Sequence, residues 1–321
     1  MADATEILRR AEEIAEEVLF ADATAVDTAD RVPAAHLDLL AAEGFYGVAA
    51  TFGEDLAVMG GILGAFAGGC LATAFVWLQH HTAVRLTADP GSPGAAWHEP
   101  LRRGEVRSGI ALGGLRPGAH GLRVRAGAPG RLRLDGEVPW VTGWGLVDVV
   151  VTGAVDDAGT VHFVLMDATE AATLHAERLV LSAANASRTV TLRLRDHEVP
   201  AQRVLARQPH DAWLRGEVSG SALNGFLALG VAARAARLAG SSALDTDLAE
   251  CGAALARAVD IPAARARAAH LAVRAAARAM VHAGSRGVLA GHHASRLVRE
   301  AAFLLVFGTR PAIRDELLSR L

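Results

Sequence analysis

The sequence predicts an α+β protein in three regions: an N-terminal helical domain, a central antiparallel β-barrel domain and a C-terminal four-helix bundle. Three observations lead there. Both ends are alanine-rich, with apolar residues at helical spacing. The middle consists of short alternating or β-branched runs punctuated by glycine, proline and aspartate. The chain has 321 residues, 51% of them hydrophobic, ample for a large buried core. The changes of texture place the regions at 1–106, 107–208 and 209–321.

Taken in order, Glu6 to Phe20 carries a helical stripe of Ile7, Ala11, Ile14, Val18 and Leu19 between Glu and Arg. Pro33 opens a second helix containing Leu37, Leu39 and Leu40, and Gly44 closes it. From Leu56 to Leu78 no residue is charged, a length that could span a bilayer. Five of those residues are glycine (60, 61, 64, 68 and 69), and no arginine cluster flanks the segment to orient it. It reads as one long or two short buried helices, with no membrane association. Asp89-Pro-Gly-Ser-Pro-Gly is a loop. Strands follow at Leu122-Arg-Val-Arg, Arg131-Leu-Arg-Leu, Val147-Asp-Val-Val-Val, Val161-His-Phe-Val-Leu and Val190-Thr-Leu-Arg-Leu. Helices return at 224–238, 248–258, 262–283 and 294–305; their alanines imply close approach, and their arginines are expected on the outer faces.

Composition excludes several functions. A net charge of -3 argues against nucleic-acid binding, which needs a basic field. The chain has no lysine, which removes Schiff-base chemistry, lysine-linked pyridoxal phosphate and the Walker phosphate loop. Cys70 and Cys251 stand far apart and read as small buried hydrophobes. The polar, acidic start shows no apolar leader, so a cytoplasmic location is expected. HExxH, GxSxG and paired-carboxylate motifs are missing. Neighbouring histidines on a helix face different ways, so His80-His81 and His292-His293 make poor joint ligands; no metal is expected, and both pairs read as surface or interface groups.

Helix, sheet and bundle in that order, with the words they contain, resemble the acyl-CoA dehydrogenase superfamily over nearly the whole chain. Leu40-Ala-Ala-Glu-Gly-Phe-Tyr-Gly-Val is similar to the family's glutamate-glycine turn after the second helix. Leu134-Asp-Gly-Glu-Val-Pro-Trp-Val-Thr-Gly-Trp-Gly-Leu-Val-Asp resembles its "dGxKxWxTxxxxAD" strand pair. Val199-Pro200 with Val204-Leu205 resembles "VPxxxVLG", Gly284-Ser-Arg-Gly287 the GGxG loop, Ser295 to Ala301 "eRxxRDA", and Phe307-Gly308-Thr309 with Ile313 "eGTxxIxxxxI".

The resemblance implies FAD as cofactor and an acyl-CoA or acyl-carrier-protein thioester as substrate. It implies that Trp140 and Thr142 flank the isoalloxazine, where an indole covers the ring and a hydroxyl or backbone group meets its polar edge. Trp140 taken alone would more often be a core tryptophan. Ile110, Leu112 and Gly113 match the strand that touches the flavin through its backbone. Gly284, Ser285 and Thr309 match positions that hold FAD partly across a subunit interface, which implies a homodimer or a dimer of dimers through the bundle.

Departures from the family pattern carry their own information. "TEP" reads Gly113-Gly114-Leu115, "GSD" reads Gly118-Ala119-His120, and the "RxxFG" arginine that grips the pyrophosphate has no counterpart between Leu238 and Leu248. Arg286 is one arginine that could replace it. Most members place a glutamate before the GT, where it removes the thioester's α-proton while hydride leaves the β-carbon; this chain has Phe307 there. Some members keep the glutamate on the first bundle helix. The alignment puts Gly220 and Ser221 at that place, and Glu217, one turn earlier, becomes the candidate base; a solvated glutamate near a helix start is the plainer alternative. Three functions follow: an FAD-dependent acyl-thioester oxidoreductase, a flavin monooxygenase of the same fold, or a non-catalytic binding or scaffold homologue.

Overall fold

The computed structural model describes residues 3–118, 121–217 and 219–321; Met1, Ala2, Ala119, His120 and Val218 lie outside it, and with them most of the divergent GSD position. The helical region contains α1 (Ala4–Ile14), α2 (Ala21–Thr28), α3 (Ala34–Ala42), α4 (Val48–Phe52), α5 (Leu56–Gly69), α6 (Leu71–Leu86) and α7 (His98–Arg102). A π-helical stretch, Ala15–Phe20, joins α1 to α2. The β-region holds β1 (Ser108–Ala111), β2 (Leu122–Ala126), β3 (Arg131–Val141), β4 (Val149–Val155), β5 (Thr160–Asp167), β6 (Leu174–Arg178), β7 (Val190–Pro200) and β8 (Val204–Pro209). Then come α8 (His210–Gly216), α9 (Leu223–Leu238), α10 (Asp245–Ala256), α11 (Ile261–Ala283), α12 (His293–Val306) and α13 (Pro311–Leu318).

The uncharged segment is two buried helices, α5 and α6, which part at the extended backbone of Cys70. Its glycines are contact surfaces. Gly60, Gly64 and Gly68 recur at one-turn spacing and face α9. A Cβ on Gly60 would lie 2.5 Å from the Phe226 ring, and one on Gly230 only 2.1 Å from the Gly64 carbonyl oxygen. Gly61 and Gly69 face the other way, where a Cβ would meet Leu8 at 2.6 Å and the Ala15 carbonyl at 2.8 Å. Two helices can touch backbone to backbone only where side chains are missing. Among the described residues no helix is long and apolar enough to cross a membrane.

The β-region forms one sheet of order β6-β7-β3-β2-β4-β5-β8, with β1 also on β4. Five of its pairings are antiparallel, as the alternating runs predict, but β1 and β2 run parallel to β4 along the same edge. The sheet is therefore mixed, and its end strands β6 and β8 do not pair with each other among the described residues, so it is not a closed barrel. The parallel pairs arise because β1 covers Val149–Thr152 and β2 covers Ala154–Val155, so the chain travels along one edge of β4 without reversing.

One apolar cluster runs from α1 through the sheet into the four helices α9, α10, α11 and α12, and a small second one seats α13 on α11. Three bundle arginines depart from the expected outer faces: Arg234, Arg265 and Arg296 are buried. Arg234 donates from Nε to the Gly68 carbonyl (2.8 Å), pairs with Glu16 (2.7 Å) and lies over the Phe20 ring, which ties bundle to N-terminal helices. Arg296 pairs with Glu300 at 2.7 Å one turn along α12. A guanidinium can be buried where carbonyls and carboxylates meet its fork. His80 and His81 also depart from expectation, being core residues at 1% and 4% exposure.

Candidate active site

One wall of the candidate site is built from β1 and the end of β3. Strand β1 pairs with β4 along one edge, and the glycines in and just after it pack closely against the end of β3 and the residue beyond it. A Cβ on Gly109 would lie 2.9 Å from the Thr142 carbonyl oxygen, and one on Gly113 2.8 Å from that of Pro139. Pairing of β3 with β7 slips between Val138 and Val141, at a proline that has no N–H to donate. The resulting bulge places Trp140 in the left-handed region (φ 62°) and throws its indole outward, 63% exposed. That conformation costs a non-glycine residue about 1–2 kcal/mol, and strain of this kind gathers at functional sites. Trp140 is not a core tryptophan.

Past the bulge Thr142 turns inward; its hydroxyl meets Thr189 Oγ1 at 3.1 Å, which in turn meets Ser187 at 3.0 Å. Ile110, Leu112 and Gly113 are half-buried along the same wall. His80 supports its root. The Ser108 N–H donates to His80 Nδ1 (3.1 Å), so Nε2 carries the proton and donates to the Leu101 carbonyl (3.0 Å). Burial pushes His80 down to about 3 and keeps it neutral.

The bundle supplies the second wall. Phe307, where the family pattern has its glutamate, sits edge-on to Phe75 (4.8 Å between centroids) and stacks on Phe303 (5.7 Å). The Thr309 hydroxyl donates to the Leu305 carbonyl at 3.1 Å. Arg310 grips Glu217 bidentately, Nε to Oε2 at 2.9 Å and NH2 to Oε1 at 2.5 Å, and Arg116 Nε adds a third bond to Oε1 at 2.6 Å. Glu217 is therefore not a solvated glutamate: both its oxygens accept from guanidiniums in a half-buried position. Arg265 donates to the Phe307 and Gly308 carbonyls at 2.9 and 2.8 Å. The walls meet at Arg116, whose NH1 lies 3.9 Å from where a Gly113 Cβ would stand, and a groove of about 790 Å³ opens beside it along Leu115, Glu137 and His210.

Of the residues expected from sequence, the fold brings Ile110, Leu112 and Gly113 beside Trp140 and Thr142, and places Thr309 beside the Glu217 cluster. Gly284 and Ser285 lie elsewhere, exposed on a tight turn after α11. Arg265, which touches Gly308, is at the start of that helix and Gly284 at its end, a separation of roughly 28 Å at 1.5 Å per residue. Within one chain they cannot share a small site with Thr309. Val281, Val288 and Leu289 are exposed around this end of the bundle. Sequence reasoning missed Arg116, Arg265 and Arg310. The readable signal was Arg265, which falls in helical phase with the buried Ile261, Ala268 and Ala272. Among the described residues no group of three His, Cys, Asp or Glu could hold a metal ion.

No protein-family model matches the chain, and no curated protein matches its sequence. Solved structures do match in shape. A glutaryl-coenzyme A dehydrogenase in complex with glutaryl-CoA superposes with a TM-score of 0.86 at 14% identity, covering 99% of this chain and 95% of that one. Butyryl-CoA dehydrogenase from Megasphaera elsdenii gives 0.81 at 15% identity, covering 99% and 97%. A nitrososynthase from Micromonospora carbonacea var. africana gives 0.80 at 19% identity, covering 100% and 96%. The chain has the α+β fold of the acyl-CoA dehydrogenases from end to end. At these identities the likeness speaks for the fold, and what the chain does must be argued from its own residues.

Proposed function

We propose that this protein is an FAD-dependent oxidoreductase acting on an acyl thioester carried by coenzyme A or a carrier protein. The observation that carries the reading is the wall at the β3 bulge: a strained, outward-facing Trp140 close to the glycine-lined segment that starts with β1. It fits a flat, partly polar ring. The indole offers a stacking face, and the β1 edge, lined by Ile110, Leu112 and Gly113, offers backbone groups at glycine-close range. These residues, with Thr142, would hold the isoalloxazine. FAD bound there would supply hydride acceptance. Gly284, Ser285 and Arg286 would reach it only from a second subunit, and the apolar residues around that turn suit a buried interface. The reading includes a cytoplasmic homodimer or dimer of dimers, with Thr309 completing the site.

Glu217 is the proposed base. Its oxygens already accept three guanidinium hydrogen bonds, so proton abstraction competes with them. We therefore expect turnover of simple saturated acyl-CoAs to be weak, and to fall by a further factor of about 10²–10⁴ in Glu217→Gln; turnover that survives this change contradicts the assignment. A second reading, a flavin monooxygenase, is favoured by one observation: an aromatic cluster around Phe307 fills the place of the proton-abstracting group.

Visible absorbance of the purified protein separates the possibilities. Bound oxidised flavin that bleaches anaerobically on adding an acyl-CoA supports the dehydrogenase. Flavin that resists every acyl-CoA and is consumed with oxygen after reduction supports the monooxygenase. No flavin binding at saturating FAD leaves a non-catalytic homologue.

A further inference from the structure

Positive charge at the bundle wall outnumbers its counter-charge. Arg116 and Arg310 share the single carboxylate of Glu217. Arg265, 6% exposed, has no ion-pair partner among the described residues. It donates to two neutral carbonyls, Phe307 and Gly308, and its buried Nε–H meets no acceptor among the described residues. Arg310 NH1 donates at 2.9 Å to the same Gly308 oxygen, so two guanidiniums converge on one carbonyl. Buried cations are ordinarily paired, because a carbonyl dipole does not offset the cost of removing a full charge from water. The crowding registers on Arg265 itself, which burial, then Arg310 and Arg116, bring down to about 10.

We propose that Arg265 and Arg310, with Arg116 at the rim, bind a carboxylate carried on the acyl group, so that the preferred thioester is that of a dicarboxylic acid rather than a simple fatty acid. The inference rests on the acyl-thioester reading and narrows it. A planar carboxylate matches the fork of the less buried guanidiniums, Arg310 and Arg116, lies next to the buried charge of Arg265, and reduces the excess charge of the cluster from two to one. The site adjoins Phe307 and Gly308, so the carboxylate would bind at the reacting end of the acyl group rather than at the carrier end.

Succinyl-CoA and butyryl-CoA test this, since they share carrier and chain length and differ by a carboxylate in place of a methyl. With the full-length, FAD-saturated protein, calorimetric titration should show succinyl-CoA binding at least about ten-fold tighter, as one or two charge-assisted hydrogen bonds allow. The preference should shrink to about two-fold or less in Arg310→Gln and Arg265→Gln. Should Arg265→Gln fail to fold, Arg310→Gln alone decides. Equal binding, or tighter butyryl-CoA, overturns the inference and leaves the thioester reading standing. If neither ester binds, that reading fails, and thermal stabilisation by free succinate or by inorganic phosphate decides the rest. Succinate stabilisation lost in Arg310→Gln supports the carboxylate site; stabilisation by phosphate alone, or by neither, overturns it.

Discussion

The two walls of the cleft are built on different principles. The β wall is shaped by backbone: a proline that cannot pair, a bulge, a left-handed tryptophan and two glycines that let strands approach to contact. The bundle wall is shaped by charge, with three guanidiniums gathered around one carboxylate and two carbonyls. Backbone devices leave a signature of glycine, proline and aromatic residues at fixed spacing. A charge cluster assembled from residues 116, 217, 265 and 310 leaves none. The contrast separates a wall made by backbone shape from one made by side-chain charge.

The largest effect should come from breaking the charged wall. Arg310→Ala takes the bidentate partner from Glu217, which keeps only Arg116, and leaves the Gly308 carbonyl to Arg265 alone, at an expected cost of about 2 kcal/mol in urea unfolding. Arg116→Ala should cost under about 1 kcal/mol, because its side chain is 37% exposed. Equal costs would mean that the cluster is held by something other than Arg310.

Acid should attack the β wall instead. Unfolded, His80 and His81 take up protons near 6.5; folded, burial keeps His80 neutral down to about 3 and pushes His81 well below its usual range. The unfolded chain therefore binds more protons between those limits. Stability is full above pH 6.5 and falls as pH drops, by about 1.4 kcal/mol per unit for each histidine. Thermal melts from pH 7 to 4.5 check this, and a flat profile contradicts it.

Trp140→Gly separates strain from function. Relief of the left-handed conformation should raise stability by about 1 kcal/mol while FAD binding weakens. A core role would give loss of both. Smallest is His81→Leu. Among the described residues neither ring nitrogen of His81 has a partner, so the change should raise stability by about 1 kcal/mol and remove about a third of the acid slope, to which His293, brought down to about 4 by burial, also contributes. His80→Leu should destabilise, since both its nitrogens are used.

How much of this was legible in the sequence follows the same division. The helix–sheet–bundle order was readable because each texture has its own period. The glycines of α5 were readable as an argument against a membrane span, but not as the contact with α9, because partners distant in sequence leave no local trace. The direction of β1 and β2 was hidden for the same reason. Trp140 was readable as a residue; its exposure depended on a bulge that only pairing with β7 reveals. His80 and His81 were misplaced because polarity alone suggests a surface, whereas the N–H of Ser108 and the carbonyl of Leu101 make a buried place for one of them.

The central claim, that the bulged β wall is a flavin-ring site, is tested most directly by titrating FAD into the wild-type protein and into Trp140→Ala. Binding at one FAD per chain is predicted, weakened by about 1–3 kcal/mol in the variant without loss of fold. No binding at saturating FAD, or equal affinity in the two proteins, would contradict it.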